Sequence, residues 1–361
     1  MQRLIPVLKK DNVELELIML IRTILAASKE ISFRVSQGAL AGVLGSILDE
    51  NTQGEVQKKL DVIANQLLKD MLLDDDSVRA IASEEEDFVV AGTPKAPYIV
   101  AFDPLDGSSN VDINGQIGTI FTIYKAKDDV PDDSELQFAQ KGEQQLCAGY
   151  VLYGASTLLV MTTGGPTRCY TLDSTHGGYL LTENNFEIPV RTKEFSVNIA
   201  NYRYWPEKIQ CYFDELLYQS DAFSGSSMRW NAAMVGDIHR IISRGGLFLY
   251  PQDTRDGNSN GKIRLLYEAN PLAFLVENSG GLASSLGNAI LEIQPTSLHQ
   301  RVPVAIGSKQ QVEYYNKVTS DLLFNSVFPA GSLTRDRAVT NIGEMNNKGF
   351  ELEIGSNIIE T

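Results

Sequence analysis

The apolar run Tyr98-Ile99-Val100-Ala101-Phe102 stops abruptly at Asp103-Pro104-Leu105-Asp106-Gly107-Ser108-Ser109-Asn110, and this junction restricts the fold more than any other part of the chain. The run predicts an apolar strand. Pro104 sets one φ angle and Gly107 permits a sharp exit, so the spacing predicts a tight turn directly after Phe102. Such a turn brings the carboxylates of Asp103 and Asp106 together and frees the Leu105 carbonyl. Oxygen ligands that converge in this way suit a hard cation such as Mg²⁺. Gly107, Ser108, Ser109 and Asn110 add consecutive N–H groups and hydroxyls, the equipment of a phosphate cradle. The same residue types are the commonest turn formers, so the segment alone also reads as a surface turn.

Around this junction the chain alternates helical and strand-like stretches, which predicts an α/β protein. Helical spacing covers residues 15–27 and 57–71, with a Gly-rich stretch, 38–54, between them that predicts a mobile loop. Short strand-like runs follow at 79–82, 98–102, 118–124, 147–152 and 157–162. A second half begins near Glu187, with strands predicted at 195–199, 246–250, 262–267 and 302–306 and helices at 230–243 and 310–323. We therefore expect an N-terminal domain over 1–186, a C-terminal domain over 187–330 and a tail, 331–361, of little periodicity.

Charge and residue usage exclude several function classes. The chain has 31 basic and 46 acidic residues, a net charge of −15, so its overall field repels nucleic acids and anionic membranes. An anionic small substrate then requires local cations. Cys147, Cys169 and Cys211 have neither metal-ligand nor redox-motif spacing and read as reduced thiols suited to a cytoplasm. Glu14, Glu16 and Arg22 interrupt the first apolar run, which is neither a signal segment nor a membrane span. His176, His239 and His299 lack a second histidine or a cysteine at ligand spacing, which argues against zinc or histidine chemistry.

Three further clusters bear on the site. Ser83-Glu84-Glu85-Glu86-Asp87 follows a predicted strand and reads as either a cation site or a solvated face. Asp61, preceded by Lys58 and Lys59, reads by itself as a helix-surface acid. In Lys262-Ile263-Arg264-Leu265-Leu266-Tyr267-Glu268, strand alternation places Lys262, Arg264 and Glu268 on one face, with the ends about 20 Å apart. Glu268 could then ligate a metal while Lys262 reaches a distant anion.

Taken with Gly118-Thr119-Ile120-Phe121, residues 234–240, Asn270-Pro271 and His299-Gln300-Arg301, these segments resemble class I fructose-1,6-bisphosphatase, within the superfamily of lithium-sensitive, magnesium-dependent phosphatases. The resemblance implies a sugar-phosphatase fold of layers ordered helix-sheet-helix-sheet-helix. It implies metal ligation by Glu84, Glu85, Asp103, the Leu105 carbonyl, Asp106 and Glu268, with Mg²⁺ as cofactor and Mn²⁺ as a substitute. Residues Asp106, Gly107, Ser108 and Ser109, with Arg264, would hold the 1-phosphate. Asn198, Trp230, Tyr250, Lys262 and an Arg229 from a neighbouring subunit of a homotetramer would hold the sugar and its 6-phosphate. The implied reaction is in-line attack of a metal-activated water on the 1-phosphoryl group, with Asp61 and Glu85 as proton acceptors.

Some positions depart from the family pattern. Residues 26–32 lack the Gly-Thr-Gly-Glu-like loop for AMP, Pro97-Tyr98 replaces a Lys-Tyr pair, and Lys125 stands where an Arg is usual, which implies weak or absent AMP inhibition. Trp230 stands where a substrate-binding Tyr is usual. The lead expectation is hydrolysis of fructose 1,6-bisphosphate, in gluconeogenesis or Calvin-type metabolism. The alternatives are sedoheptulose-1,7-bisphosphate or both substrates, an inositol monophosphatase relative, and a silent sugar-phosphate-binding regulator.

Overall fold

Apolar residues spaced for one helical face build the first layer: Leu4–Lys10 (α1), Leu15–Gln37 (α2) and Lys59–Leu73 (α3). The computed structural model of the chain describes residues 2–41, 47–50, 56–218, 225–255 and 257–320. Helix α2 runs ten residues beyond its expected end at 27, because Ser28 and Ile31 extend the buried stripe of Ile21, Ile24 and Leu25. Of the predicted mobile loop, 42–46 and 51–55 lie outside the described residues. Its described parts are the turn Gly38–Ala41 and a strand, Ile47–Glu50 (β1), paired antiparallel with Val56–Lys58 (β2).

The helices cover an eight-stranded sheet. Its strands are Val78–Ser83 (β3), Val90–Ala91 (β4), Tyr98–Asp106 (β5), Ile117–Lys125 (β6), Cys147–Tyr153 (β7), Thr157–Thr162 (β8), Arg168–Asp173 (β9) and Gly178–Glu183 (β10), in the order β10-β9-β8-β7-β6-β5-β3-β4. Only β3 and β5 are parallel neighbours; the other pairs are antiparallel. Period-two alternation divides each central strand between two cores. Phe121, Ile123 and Val151 pack with α1, α2 and α3, while Ile120, Tyr150 and Leu152 face the opposite way.

The opposite face meets Met234–Arg244 (α5) and Asn270–Glu277 (α6), which also pack on Phe248, Val304 and Ile306 of a second sheet. That sheet has six strands, Glu194–Ser196 (β11), Ser227–Met228 (β12), Leu247–Tyr250 (β13), Leu282–Ser285 (β15), Asn288–Ala289 (β16) and Val304–Gly307 (β18), in the order β12-β11-β13-β18-β15-β16. Ile263–Arg264 (β14) and Arg301–Val302 (β17) pair separately. Glu207–Tyr218 (α4) and Lys309–Thr319 (α7) close the outer face around Phe195, Leu247 and Leu249. The layers therefore run helix, sheet, helix, sheet, helix, the order that the resemblance implies. The predicted tail, 331–361, lies outside the described residues.

Two elements differ from expectation where they matter most. The helix predicted at 230–243 starts at Met234; before it, Asn231 donates its N–H to Asp237 Oδ1 at 3.0 Å and Ala232 adopts φ +58°, so these residues are an ordered approach to the helix. The strand predicted at 262–267 ends after Arg264. Leu265–Ala269 forms a π-helical turn in which the Asn270 N–H donates to the Leu265 carbonyl. Leu265, Leu266 and Tyr267 are all buried, and a strand with two unlike faces cannot bury three successive side chains as a turn does.

Candidate active site

Asp103 and Asp106 converge through a bulge, not through the expected turn after Phe102. β5 continues to Asp106, and its pairing with β6 passes from Asp103↔Ile120 to Asp106↔Gly118, so β5 carries one extra residue there. Residues three apart on a regular strand face opposite ways; the extra residue turns both carboxylates to the same side. Leu105 donates its N–H to Asp103 Oδ1 at 2.9 Å, and Thr119 donates its hydroxyl to the Pro104 carbonyl at 2.9 Å. Gly107 then leaves the strand at φ +81°, where an added Cβ would lie 2.4 Å from the Cβ of Ala233.

Four elements bring acids to this point. Glu268 reaches it because the π-helical turn folds it back, with its Oε2 accepting the Arg264 N–H at 2.7 Å. The expected separation of about 20 Å between Lys262 and Glu268 is thus replaced by a shared cavity of about 230 Å³. Glu84, leaving β3, joins the ion pair Arg264 Nη1–Glu84 Oε1 at 2.6 Å. Asp61, in the first turn of α3, is buried and lines the same cavity, which corrects its reading as a surface acid.

Of the four acids at residues 84–87, Glu84 and Glu85 line the cavity, whereas Glu86 accepts from Lys69 and Asn65 and Asp87 is exposed. Leu105, Gly107, Ser108, Trp230, Tyr250, Lys262 and Arg264 complete the expected set within it. Three expected residues stand outside this lining. Ser109 is exposed; Asn198 caps the turn at Ile199–Tyr204; Arg229 is half exposed and lies 3.9 Å from Glu194.

Sequence reasoning missed what the start of α5 supplies. The Val235 N–H donates to Asp106 Oδ2 at 2.6 Å, placing a helix N-terminus against that carboxylate. Placing the helix start at residue 230 hid this contact, and no local signal marks Ala233 as its true cap.

Electrostatics identify what the pocket accepts. Oxygen atoms of Asp103, Asp106 and Glu268 lie within 4.8 Å of one another. At an effective dielectric of about 20, two carboxylate charges at that distance repel by roughly 3 kcal/mol. Burial, then Glu84, Asp106 and Glu268, push the Asp103 carboxyl well above the usual range. Burial also raises Asp106, to about 7, although the Val235 N–H opposes the rise. No histidine or cysteine lines the cavity. A buried, all-oxygen, mutually repelling donor set fits a hard divalent cation.

Comparison with known proteins agrees with this chemistry. Residues 6–184 match the family model described as fructose-1-6-bisphosphatase, N-terminal domain, and 188–320 match the corresponding C-terminal domain. The chain is 72% identical over 316 residues to the class 1 fructose-1,6-bisphosphatase 2 of Pseudoalteromonas translucida, covering 88% of this chain and 97% of that protein. It is 65% identical to the class 1 enzyme of Cellvibrio japonicus, over 87% of this chain and 98% of the relative. The crystal structure of Leishmania major fructose-1,6-bisphosphatase in holo form superposes with a TM-score of 0.83 at 36% identity, covering 88% of this chain and 98% of that one. Layer order, buried carboxylates and sequence identity along nearly the whole described chain lead to one assignment: the chain belongs to the class 1 fructose-1,6-bisphosphatase family.

Proposed function

We propose that this protein hydrolyses the 1-phosphate of D-fructose 1,6-bisphosphate, releasing fructose 6-phosphate and phosphate, in gluconeogenic sugar-phosphate metabolism. The observation that carries the reading is one cavity holding Asp103, Asp106 and Glu268 as an oxygen cluster, with Lys262 exposed at its rim. A monophosphate does not require that second cation; a bisphosphate does.

Glu84, Glu85, Asp103, Asp106, Glu268 and the Leu105 carbonyl would hold the cation, Mg²⁺ in preference to Mn²⁺. When bound, it supplies charge neutralisation at the phosphoryl oxygens and makes water more acidic. Asp61 and Glu85 accept the proton of the attacking water. Gly107, Ser108 and Ser109 offer N–H groups and hydroxyls to the 1-phosphate. Arg264, paired with Glu84, keeps positive charge beside that phosphate. Lys262, with Tyr250, Trp230 and Asn198, receives the 6-phosphate and sugar. Trp230 stacks on Phe248 with ring centroids 6.2 Å apart, which supports it as a fixed wall at the sugar end.

We further infer a homotetramer in which Arg229 completes a neighbour's site, a reading supported by its half-exposed side chain outside the cavity of its own chain. Domain limits of 1–186 and 187–330 and a cytoplasmic location follow from the same reading. The free Cys147 and Cys169, both buried, suit that location. Among the described residues no helix is long and apolar enough to cross a membrane.

Steady-state phosphate release from fructose 1,6- and sedoheptulose 1,7-bisphosphate, with and without a chelator and AMP, tests the proposal. We expect metal-dependent release with the higher kcat/KM for the fructose compound. AMP at micromolar concentration should have little effect, since residues 26–32 are continuous helix within α2. Absence of metal-dependent release from either compound would overturn the assignment.

A further inference from the structure

The segment between β12 and α5 carries Trp230 and Ala232, both of which line the catalytic cavity. It presents a wall of that cavity without the support of a helix or a strand. Its start is tied to the second sheet, where the Arg229 N–H donates to the Phe195 carbonyl at 2.8 Å. Its end is the first turn of α5, whose Val235 N–H meets Asp106. Between these anchors Ala232 stands at φ +58°, in the left-handed region that residues with a Cβ rarely adopt. Such a conformation persists only where the surroundings over-determine it.

Asn231 supplies those surroundings. Its N–H donates to both oxygens of Asp237, at 3.0 Å and 3.3 Å, and its side-chain amide donates to Asp237 Oδ1 at 3.2 Å. Its carbonyl accepts from the side-chain amide of Asn110 at 2.8 Å. That amide also donates to the Gln116 carbonyl at 3.0 Å, and the Asn110 N–H donates to the Gly107 carbonyl at 2.8 Å. Both backbone polar groups of Asn231 are therefore clamped, one by α5 and the other by the turn that follows Asp106. Asp237 is 1% exposed and Asn110 5%, and neither these two nor Asn231 lines the cavity. A carboxylate buried this deeply is costly unless its oxygens are used, and those of Asp237 are used on the chain that precedes its own helix. Trp230, the residue before Asn231, stacks on Phe248 with ring planes 10° apart. Freeing Asn231 lets Ala232 relax out of the left-handed region, and that rotation swings Trp230 away from Phe248.

We propose that Asp237, together with Asn110, is a positioning residue for the reaction: by clamping Asn231 the pair holds Ala232 in its left-handed conformation and fixes Trp230 relative to the phosphate cradle. The inference rests on Trp230 being the wall at the sugar end. Neither Asp237 nor Asn110 touches the sugar in this reading; both act through Asn231.

Trp205 and Trp230 are the two tryptophans of the chain, so Trp205→Phe leaves Trp230 as the single indole emitter. In that parent, Asp237→Ala, Asp237→Asn and Asn110→Ala are compared without substrate by emission spectrum and acrylamide quenching, and then by Tm and by KM and kcat for fructose 1,6-bisphosphate. We expect Asp237→Ala and Asn110→Ala to shift Trp230 emission to the red and increase its quenching. KM should rise about tenfold with kcat within about threefold of the parent, because the wall orients a part of the substrate that does not react. Asp237→Asn keeps a side-chain oxygen that accepts from Asn231 and should restore most of both signals. Asn110→Ala leaves the α5 sequence intact and keeps the test decisive if Asp237→Ala does not fold. A lower Tm with Trp230 emission and KM unchanged in the folded variants would reduce Asp237 to a helix-stabilising acid and overturn the proposal. A fall in kcat with KM unchanged would overturn it as well. The emission readings need no substrate, so a parent protein that fails to hydrolyse the bisphosphate would sink the functional reading while emission still decides the positioning role.

Discussion

At the residue scale the cost of crowding five buried acids, Asp61, Glu84, Asp103, Asp106 and Glu268, governs behaviour. Because Asp103 and Asp106 hold their protons to higher pH than ordinary carboxyls, a divalent cation must displace protons as it binds. Raising the pH through about 7 deprotonates Asp106 and should strengthen Mg²⁺ binding. Calorimetric titration in buffers of different ionisation enthalpy should show proton release that is larger at pH 6 than at pH 9; pH-independent binding without release would contradict it. Asp103→Ala or Glu268→Ala should reduce kcat by about 10²–10³-fold or more. Lys262→Ala should raise KM by about tenfold with kcat little changed, because it contacts the group that does not react. An unchanged KM would remove Lys262 from the distant anion site. The types and numbers of these residues were legible in the sequence. The burial of Asp61 was not: Lys58 and Lys59 before it look like a solvated helix face, and only packing of α3 against the sheet decides otherwise.

At the element scale, three local irregularities assemble the site: the β5 bulge, the π-helical turn at Leu265–Ala269 and the late start of α5. Each was missed because periodicity averages over several residues, whereas one extra residue reverses which way a side chain points. Gly107 ties two of them together. Gly107→Ala would require φ +81° and a Cβ 2.4 Å from that of Ala233. We expect a loss of about 2–3 kcal/mol in stability and a fall in kcat, as Asp106 shifts from the Val235 N–H. Thermal denaturation alongside kinetics checks this, and an unchanged Tm would show that the approach of the two elements is loose. The main strands and helices themselves were readable, since their apolar residues repeat with the correct period, as at Phe121 and Ile123 of β6.

At the scale of the whole molecule, five layers place the carboxyl ends of the parallel pair β3 and β5 against α5 and the π-helical turn, so acids from distant parts of the chain share one pocket. If Arg229 completes a neighbour's site, complementation should reveal it. Arg229→Ala and Asp103→Ala proteins, each poorly active alone, should recover activity when co-assembled, because the Arg229→Ala protomer keeps its carboxylates and borrows Arg229 from its partner. Absence of recovery in verified mixed oligomers would place Arg229 within its own protomer's function or outside the reaction.

The sequence by itself determined the chemistry on offer: hard oxygen donors without histidine, a bulk negative charge broken by Lys262 and Arg264, and alternating helix and strand periods. These follow from residue type and local repetition, which the chain carries in order. Only the tertiary structure decided which acids meet. Convergence of Asp61, Glu84, Asp103 and Glu268 depends on packing between residues far apart in the chain.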